Sequence, residues 1–94
     1  MLPCRVLLTE KVDKQIQRLP FYIQDKVQSW VGSVQEHGIY LVRQKPGLHD
    51  EPLHGSRQGQ RSVRLNRAYR LIYMQSRWAE IEIIEIIEVN KHEY

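Results

Sequence analysis

Cysteine is nearly absent. Cys4 is the only one among 94 residues, which excludes an internal disulfide and any multi-thiolate metal centre. Beside the apolar run Val6-Leu7-Leu8 it is expected to pack rather than react. No apolar run approaches the roughly 20 residues of a bilayer-crossing helix. The opening Met1-Leu2-Pro3-Cys4-Arg5-Val6-Leu7-Leu8 is short and soon followed by Glu10, Lys11 and Asp13, unlike a secretory signal. The expectation is a cytoplasmic protein without membrane contact. Repeats, low-complexity tracts and linkers are also lacking, so residues 1–94 read as a single domain with one modest core. His49 and His54 stand near Asp50 and Glu51, yet their spacing matches no zinc pattern. Neither a metal nor another cofactor is expected.

Acidic residues are missing from one particular stretch. Arg57, Arg61, Arg64, Arg67, Arg70 and Arg77 occur with no Asp or Glu among them, whereas Glu80, Glu82, Glu85 and Glu88 crowd the next segment. A net charge of +3 favours polyanions only weakly; the segregation says more. One account makes the two segments neighbouring strands that neutralise each other across the ladder. The other, adopted here, is that the arginine stretch engages RNA together with the tail His92-Glu93-Tyr94.

Apolar spacing supplies the elements. Leu2 to Leu8 reads as a short buried strand, and Thr9 suits the N-cap of a helix with Val12, Ile16 and Leu19 at i, i+4 and i+7. Pro20 ends that helix and opens another, with Ile23, Val27, Trp30, Val31 and Val34 on one stripe and Gly38 as its C-cap. Together they make a two-helix hairpin, with Trp30 in the core. From Gly38 to Gly59, glycines and prolines without periodicity predict a long functional loop. Arg61–Leu65 and Tyr69–Met74 alternate and form a hairpin through Asn66-Arg67-Ala68. Ala79 to Val89 is dense in β-branched isoleucine and reads as a strand, with a bulge near Ile83-Ile84 where the alternation slips. Trp78 falls in the turn before it. The class is α+β: an N-terminal strand, two helices, then a three-stranded, mostly antiparallel sheet packed on them.

A three-residue hairpin loop sets Leu65 opposite Tyr69, Arg64 opposite Arg70 and Val63 opposite Leu71. The apolar set faces the helices, leaving Arg64 and Arg70 side by side on the open face. Like charges across a ladder cost roughly 0.2–1 kcal/mol. A bound phosphate would compensate; so would Glu51 or a glutamate of the final strand. The tail follows that strand directly. Imidazole moves protons near neutral pH, guanidinium grips phosphate through two hydrogen bonds, and a tyrosine ring stacks on unpaired bases.

The segments Glu51-Pro52-Leu53-His54-Gly55, Gly59-Gln60-Arg61-Ser62-Val63-Arg64-Leu65, Tyr69-Arg70-Leu71-Ile72-Tyr73 and His92-Glu93-Tyr94, in this order, resemble the bacterial RelE/ParE toxin superfamily, closest to its YoeB-like and YafQ-like ribonuclease members. The resemblance covers nearly the whole chain. It implies the small RelE-like fold and the toxin of a type II toxin-antitoxin pair, an mRNA interferase that cuts messenger RNA, typically in the ribosomal A site, without a cofactor. Arg70 would then hold the developing charge on phosphate, Glu51 would act as base and His92 as acid, or the reverse, and Tyr94 would stack on the nucleotide. Arg57, Arg61, Arg64, His54 and Lys91 would bind the RNA. Implied partners are a cognate antitoxin, messenger RNA and the ribosome, with operator DNA reached only through the antitoxin. Two rivals share the fold: a ParE-like toxin that binds gyrase without cutting RNA, and a degenerate subunit that only binds antitoxin or DNA.

Overall fold

The computed structural model describes residues 4–91. Strand β1 (Cys4–Leu8) leads to Thr9, whose extended backbone and side-chain oxygen, accepting from the Val12 amide at 3.2 Å, cap helix α1 (Glu10–Gln17). Val12 and Ile16 are its buried stripe. Pro20 opens α2 (Phe21–His37), where a missing N–H costs nothing. Ile23, Val27, Trp30 and Val34 are buried along one face of α2. Gly38, at φ +85°, ends it by donating to the Val34 carbonyl at 2.8 Å.

The segment expected as one long loop is instead partly ordered into regular elements. Ile39–Arg43 forms a short helix α3 with Ile39 and Val42 buried, followed by single 3-10 turns at Pro46–Leu48 and Gly55–Arg57. Between those turns, Glu51–Pro52 forms a two-residue strand β2. Five residues are too short a window for helical periodicity to emerge from sequence, and burial of two side chains holds the turn.

The strands β3 (Gln60–Arg64), β4 (Tyr69–Trp78) and β5 (Ile81–Lys91) complete a five-stranded sheet in the order β1-β5-β4-β3-β2. β1 lies parallel to β5, and the other pairings are antiparallel. The α+β class holds, with β1 and β2 joining the three expected strands in one sheet. The hairpin register is the one derived from sequence: Arg64 opposes Arg70 and Val63 opposes Leu71. Asn66 Oδ1 accepts from the amides of Ala68 and Tyr69, both at 2.8 Å, and so fixes the turn.

The bulge falls elsewhere than at Ile83-Ile84. Ile72 pairs with Glu88 and Tyr73 with Ile86, which leaves Ile87 as the extra residue of β5. Ile84, Ile86 and Val89 are all fully buried; one inserted residue between Ile86 and Val89 lets the three share the core face. That core lies between the helices and one face of the sheet, with Leu71, Tyr73 and Val63 completing it.

Cross-strand partners share a face. Ser62 opposite Ile72, Ile72 opposite Glu88, and Arg70 opposite both Arg64 and Asn90 therefore populate the face away from the helices. The connector folds over this face, tied down by an ion pair from Arg57 Nη2 to Glu88 Oε1 at 2.5 Å. Ile72 is consequently only 7% exposed, although it points away from the main core.

Candidate functional site

The connector and the open face enclose a hollow of about 300 Å³, lined by Glu51, Leu53, Arg57, Ser62, Arg70, Ile72 and Asn90. Its floor is Ser62 and Ile72, both buried. Arg70 Nη1 donates to Ser62 Oγ at 3.0 Å and lies 3.9 Å from Glu51 Oε1. The Arg70 side chain is 17% exposed and that of Glu51 61%. A guanidinium carries five N–H donors. Among the described residues Ser62 takes one in a hydrogen bond, so donors remain to meet an oxyanion in the hollow. The pair thus offers a seated cation and a solvated carboxylate able to accept a proton.

Glu51 reaches Arg70 because β2, short as it is, pairs with β3: Glu51 opposes Ser62 and Pro52 opposes Arg61. Of the two compensators considered for the arginine pair, the structure supplies a carboxylate, on the Arg70 side. Arg64 stands across the ladder from Arg70 with no ion pair among the described residues.

The remaining sequence candidates disperse. Arg57 lines the hollow, but its guanidinium is engaged with Glu88 and, at 2.9 Å, with Gln60 Oε1. His54 is exposed ahead of the 3-10 turn and outside the lining of the hollow. Lys91 is exposed opposite Tyr69 and lines a different groove, beside α1. His92 and Tyr94 lie outside the described residues; Asn90 sits directly across from Arg70.

Arg61 points to the other side of the sheet. Its Nε donates to Asp50 Oδ1 at 2.6 Å, and the Tyr73 hydroxyl donates to Asp50 Oδ2 at 2.6 Å. Arg43 Nη2 donates to the Tyr73 oxygen at 3.1 Å and to Gln75 Oε1 at 2.6 Å. The Asp50 side chain is 1% exposed. Partial burial disfavours the Arg61 cation, but hydrogen bonding and charge attraction from Asp50 outweigh it and raise the pKa. Burial, reinforced by the Asp50 hydrogen bond, pushes the Tyr73 phenol well up and keeps it neutral. Sequence alone does not single out Asp50: alternation places it and Glu51 on opposite faces but does not say which of the two is buried. One acid locks the connector to the core while its neighbour enters the hollow.

A further polar cluster lies on the helix face at the far end of the hairpin. Arg77 pairs with the buried Glu82, which also accepts from Gln75 Nε2 at 3.2 Å, and Gln75 in turn donates to the Tyr40 hydroxyl at 2.8 Å. Across from that helix face, the hollow with Arg70 and Glu51 combines a cation and a solvent-exposed carboxylate in one concavity.

No protein-family model matches the chain, and no curated protein sequence matches it. Solved structures do. The YoeB/ParE toxin from Agrobacterium tumefaciens superimposes with a TM-score of 0.72 at 18% identity, covering 95% of this chain and 99% of that one. The toxin-antitoxin complex RelBE2 from Mycobacterium tuberculosis gives a TM-score of 0.69 at 21% identity, covering 97% and 100%. YafQ from E. coli strain BL21(DE3) gives 0.69 at 13% identity, covering 94% and 92%. The chain has the fold of these toxins over nearly its full length.

Proposed function

We propose that this chain is the toxin of a type II toxin-antitoxin pair and an endoribonuclease that cuts messenger RNA at the hollow holding Arg70 and Glu51. The fold it shares with YoeB, YafQ and RelBE2 supports the toxin reading. The observation that carries the catalytic reading is Arg70, seated on Ser62 and 3.9 Å from Glu51, in an open concavity.

The reaction is internal transesterification. The ribose 2′-oxygen attacks the adjacent phosphorus, the bond to the 5′-oxygen breaks, and the products are a 2′,3′-cyclic phosphate and a free 5′-hydroxyl. Glu51 takes the 2′-hydroxyl proton, Arg70 stabilises the charge that accumulates on the pentacoordinate phosphate, and His92 returns a proton to the leaving 5′-oxygen. These three side chains perform every required proton and charge task, so no metal enters the scheme. Arg64 steers the RNA backbone towards Arg70. Tyr94 stacks on a base. Arg61 acts from behind the sheet, holding Asp50 and thereby the connector that carries Glu51. The partner in the resting complex is an antitoxin, a reading supported by RelBE2 and DinJ-YafQ being toxin-antitoxin complexes, and an acidic one would complement the arginines of the open face.

The test is primer extension on messenger RNA in a translating system with magnesium, beside naked RNA in EDTA, comparing the wild type with Arg70→Ala and His92→Gln. Cleavage by the wild type and loss in both variants is the expected result. Absence of cleavage in both settings, with inhibition of gyrase supercoiling instead, overturns the nuclease reading in favour of gyrase binding.

A further inference from the structure

We infer that the groove between α1 and the end of the sheet is a second binding segment for single-stranded RNA, continuous with the Arg70 hollow. It rests on the ribonuclease reading above and adds to it where the strand flanking the cut travels.

Lys11, Lys14 and Arg18 lie at i, i+3 and i+7, so α1 and its C-cap Arg18 present them along one stripe while Val12 and Ile16 bury the other. That stripe walls a groove of about 810 Å³, whose opposite wall carries Lys91 and Tyr69. Among the described residues, four cations meet a single carboxylate there, that of Glu10. Glu10 is itself 82% exposed and pairs with Lys14 at 3.4 Å, a solvated contact that a phosphate displaces at little cost. Gln15 Oε1 accepts the Val89 amide at 2.9 Å and ties α1 to β5 at this groove.

Continuity comes from Asn90. It lines both this groove and the Arg70 hollow, and it lies opposite Arg70 in the ladder. A strand whose scissile phosphate sits on Arg70 passes Asn90 to enter the groove. Its requirements match the residues met on the way: the Asn90 amide, whose nitrogen donates to Glu88 and whose oxygen can accept from a 2′-hydroxyl or base edge, a half-buried tyrosine ring for stacking, and flexible ammonium groups for successive phosphates. A protein partner would seek an apolar anchor, and Leu19 and Val89, one partly and one fully buried, offer little.

The experiment measures binding by fluorescence anisotropy for RNA oligomers of about four and about twelve nucleotides, lengths that bracket a one-domain site. The proteins are the full chain, Lys14→Gln/Arg18→Gln, and the charge-keeping Lys14→Arg, with thermal midpoints recorded to confirm folding. The expected result is tighter wild-type binding of the longer oligomer. The double variant should weaken that oligomer alone, with the salt slope falling by about 0.7 for each cation removed, and Lys14→Arg should bind as the wild type does. If the wild type binds RNA but the double variant matches it at both lengths, the groove proposal is overturned and the nuclease reading stands. If a poly-glutamate peptide binds the groove as tightly as the longer RNA, with the same loss in the variant, the groove is a docking surface for acidic protein and the proposal is again overturned. If the wild type binds neither oligomer and cuts no messenger, the nuclease reading falls and takes this inference with it.

Discussion

Asp50 and Glu51 are consecutive, yet they serve opposite faces of one sheet: Asp50 is buried against Arg61 and Tyr73, and Glu51 stands in the open hollow 3.9 Å from Arg70. Glu51 opens the short strand β2 and Asp50 stands just before it, so adjacent carboxylates become an anchor and a group that faces the hollow. Alternation along extended backbone is sufficient to do it.

Arg70→Lys should fold as the wild type does and lose most cleavage, because an ammonium cannot meet a phosphate with two parallel hydrogen bonds. By analogy with removal of one preorganised donor, a fall of about 100- to 1,000-fold is expected in single-turnover cleavage. Retention within threefold, with unchanged folding, would remove Arg70 from the reacting centre.

Asp50→Ala should damage stability before activity. It strips a buried carboxylate from Arg61 and Tyr73, and breaking such a buried pair costs about 3–5 kcal/mol. Tyr73→Phe removes one donor to the same carboxylate and should cost less, about 1–3 kcal/mol. Denaturant midpoints of the two variants rank them, and equal midpoints would deny Asp50 its anchoring role.

Glu82 makes stability depend on acid. The hydrogen bond from Arg77 holds its carboxyl below the usual carboxylate value, against burial, which acts in the other direction. A lowered folded-state pKa contributes stability that is complete above the unfolded value, about 4.5, and is lost as pH falls through the folded one. Glu82→Gln should therefore be less stable than the wild type at pH 7, and the gap should close in strong acid. Urea midpoints at neutral and acid pH check this; a gap that widens on acidification would contradict it.

Ala79 has φ +54° at the first loop position of the hairpin closed by Trp78 and Ile81. Left-handed backbone costs a residue with a Cβ about 1–2 kcal/mol, and the two-residue hairpin with positive φ at this position favours glycine. Ala79→Gly should raise the thermal midpoint, by the equivalent of about 0.5–1 kcal/mol once the entropy of the extra chain freedom is subtracted. A lower midpoint would mean that the turn is not strained.

What could be read directly was whatever depends on local period and adjacency. Thr9 before Val12 and Ile16, Pro20 before the α2 stripe, and the Asn66-Arg67-Ala68 turn all specify themselves, because caps, stripes and turn chemistry act within a few residues. The turn length also sets Arg64 opposite Arg70, a pairing across the sheet fixed by local residues. The α3 helix, the β2 strand and the bulge at Ile87 were not legible, since each is stabilised by distant burial and not by its own residues.

The sequence by itself determined the buried stripes of α1 and α2, the pairing of β3 with β4, and the placing of Arg64 beside Arg70 on the open face, all set by side-chain period and turn length. Only the tertiary structure decided which arginines remain available. Arg61 and Arg57 look like Arg70 in sequence, yet Arg61 is committed to Asp50 behind the sheet and Arg57 to Glu88 across it, while Arg70 rests on a serine hydroxyl beside a solvated carboxylate. Charge pairing between residues far apart in the chain depends on how the connector folds over the sheet. That path is set by burial of Asp50 and Ile72, which no local pattern records.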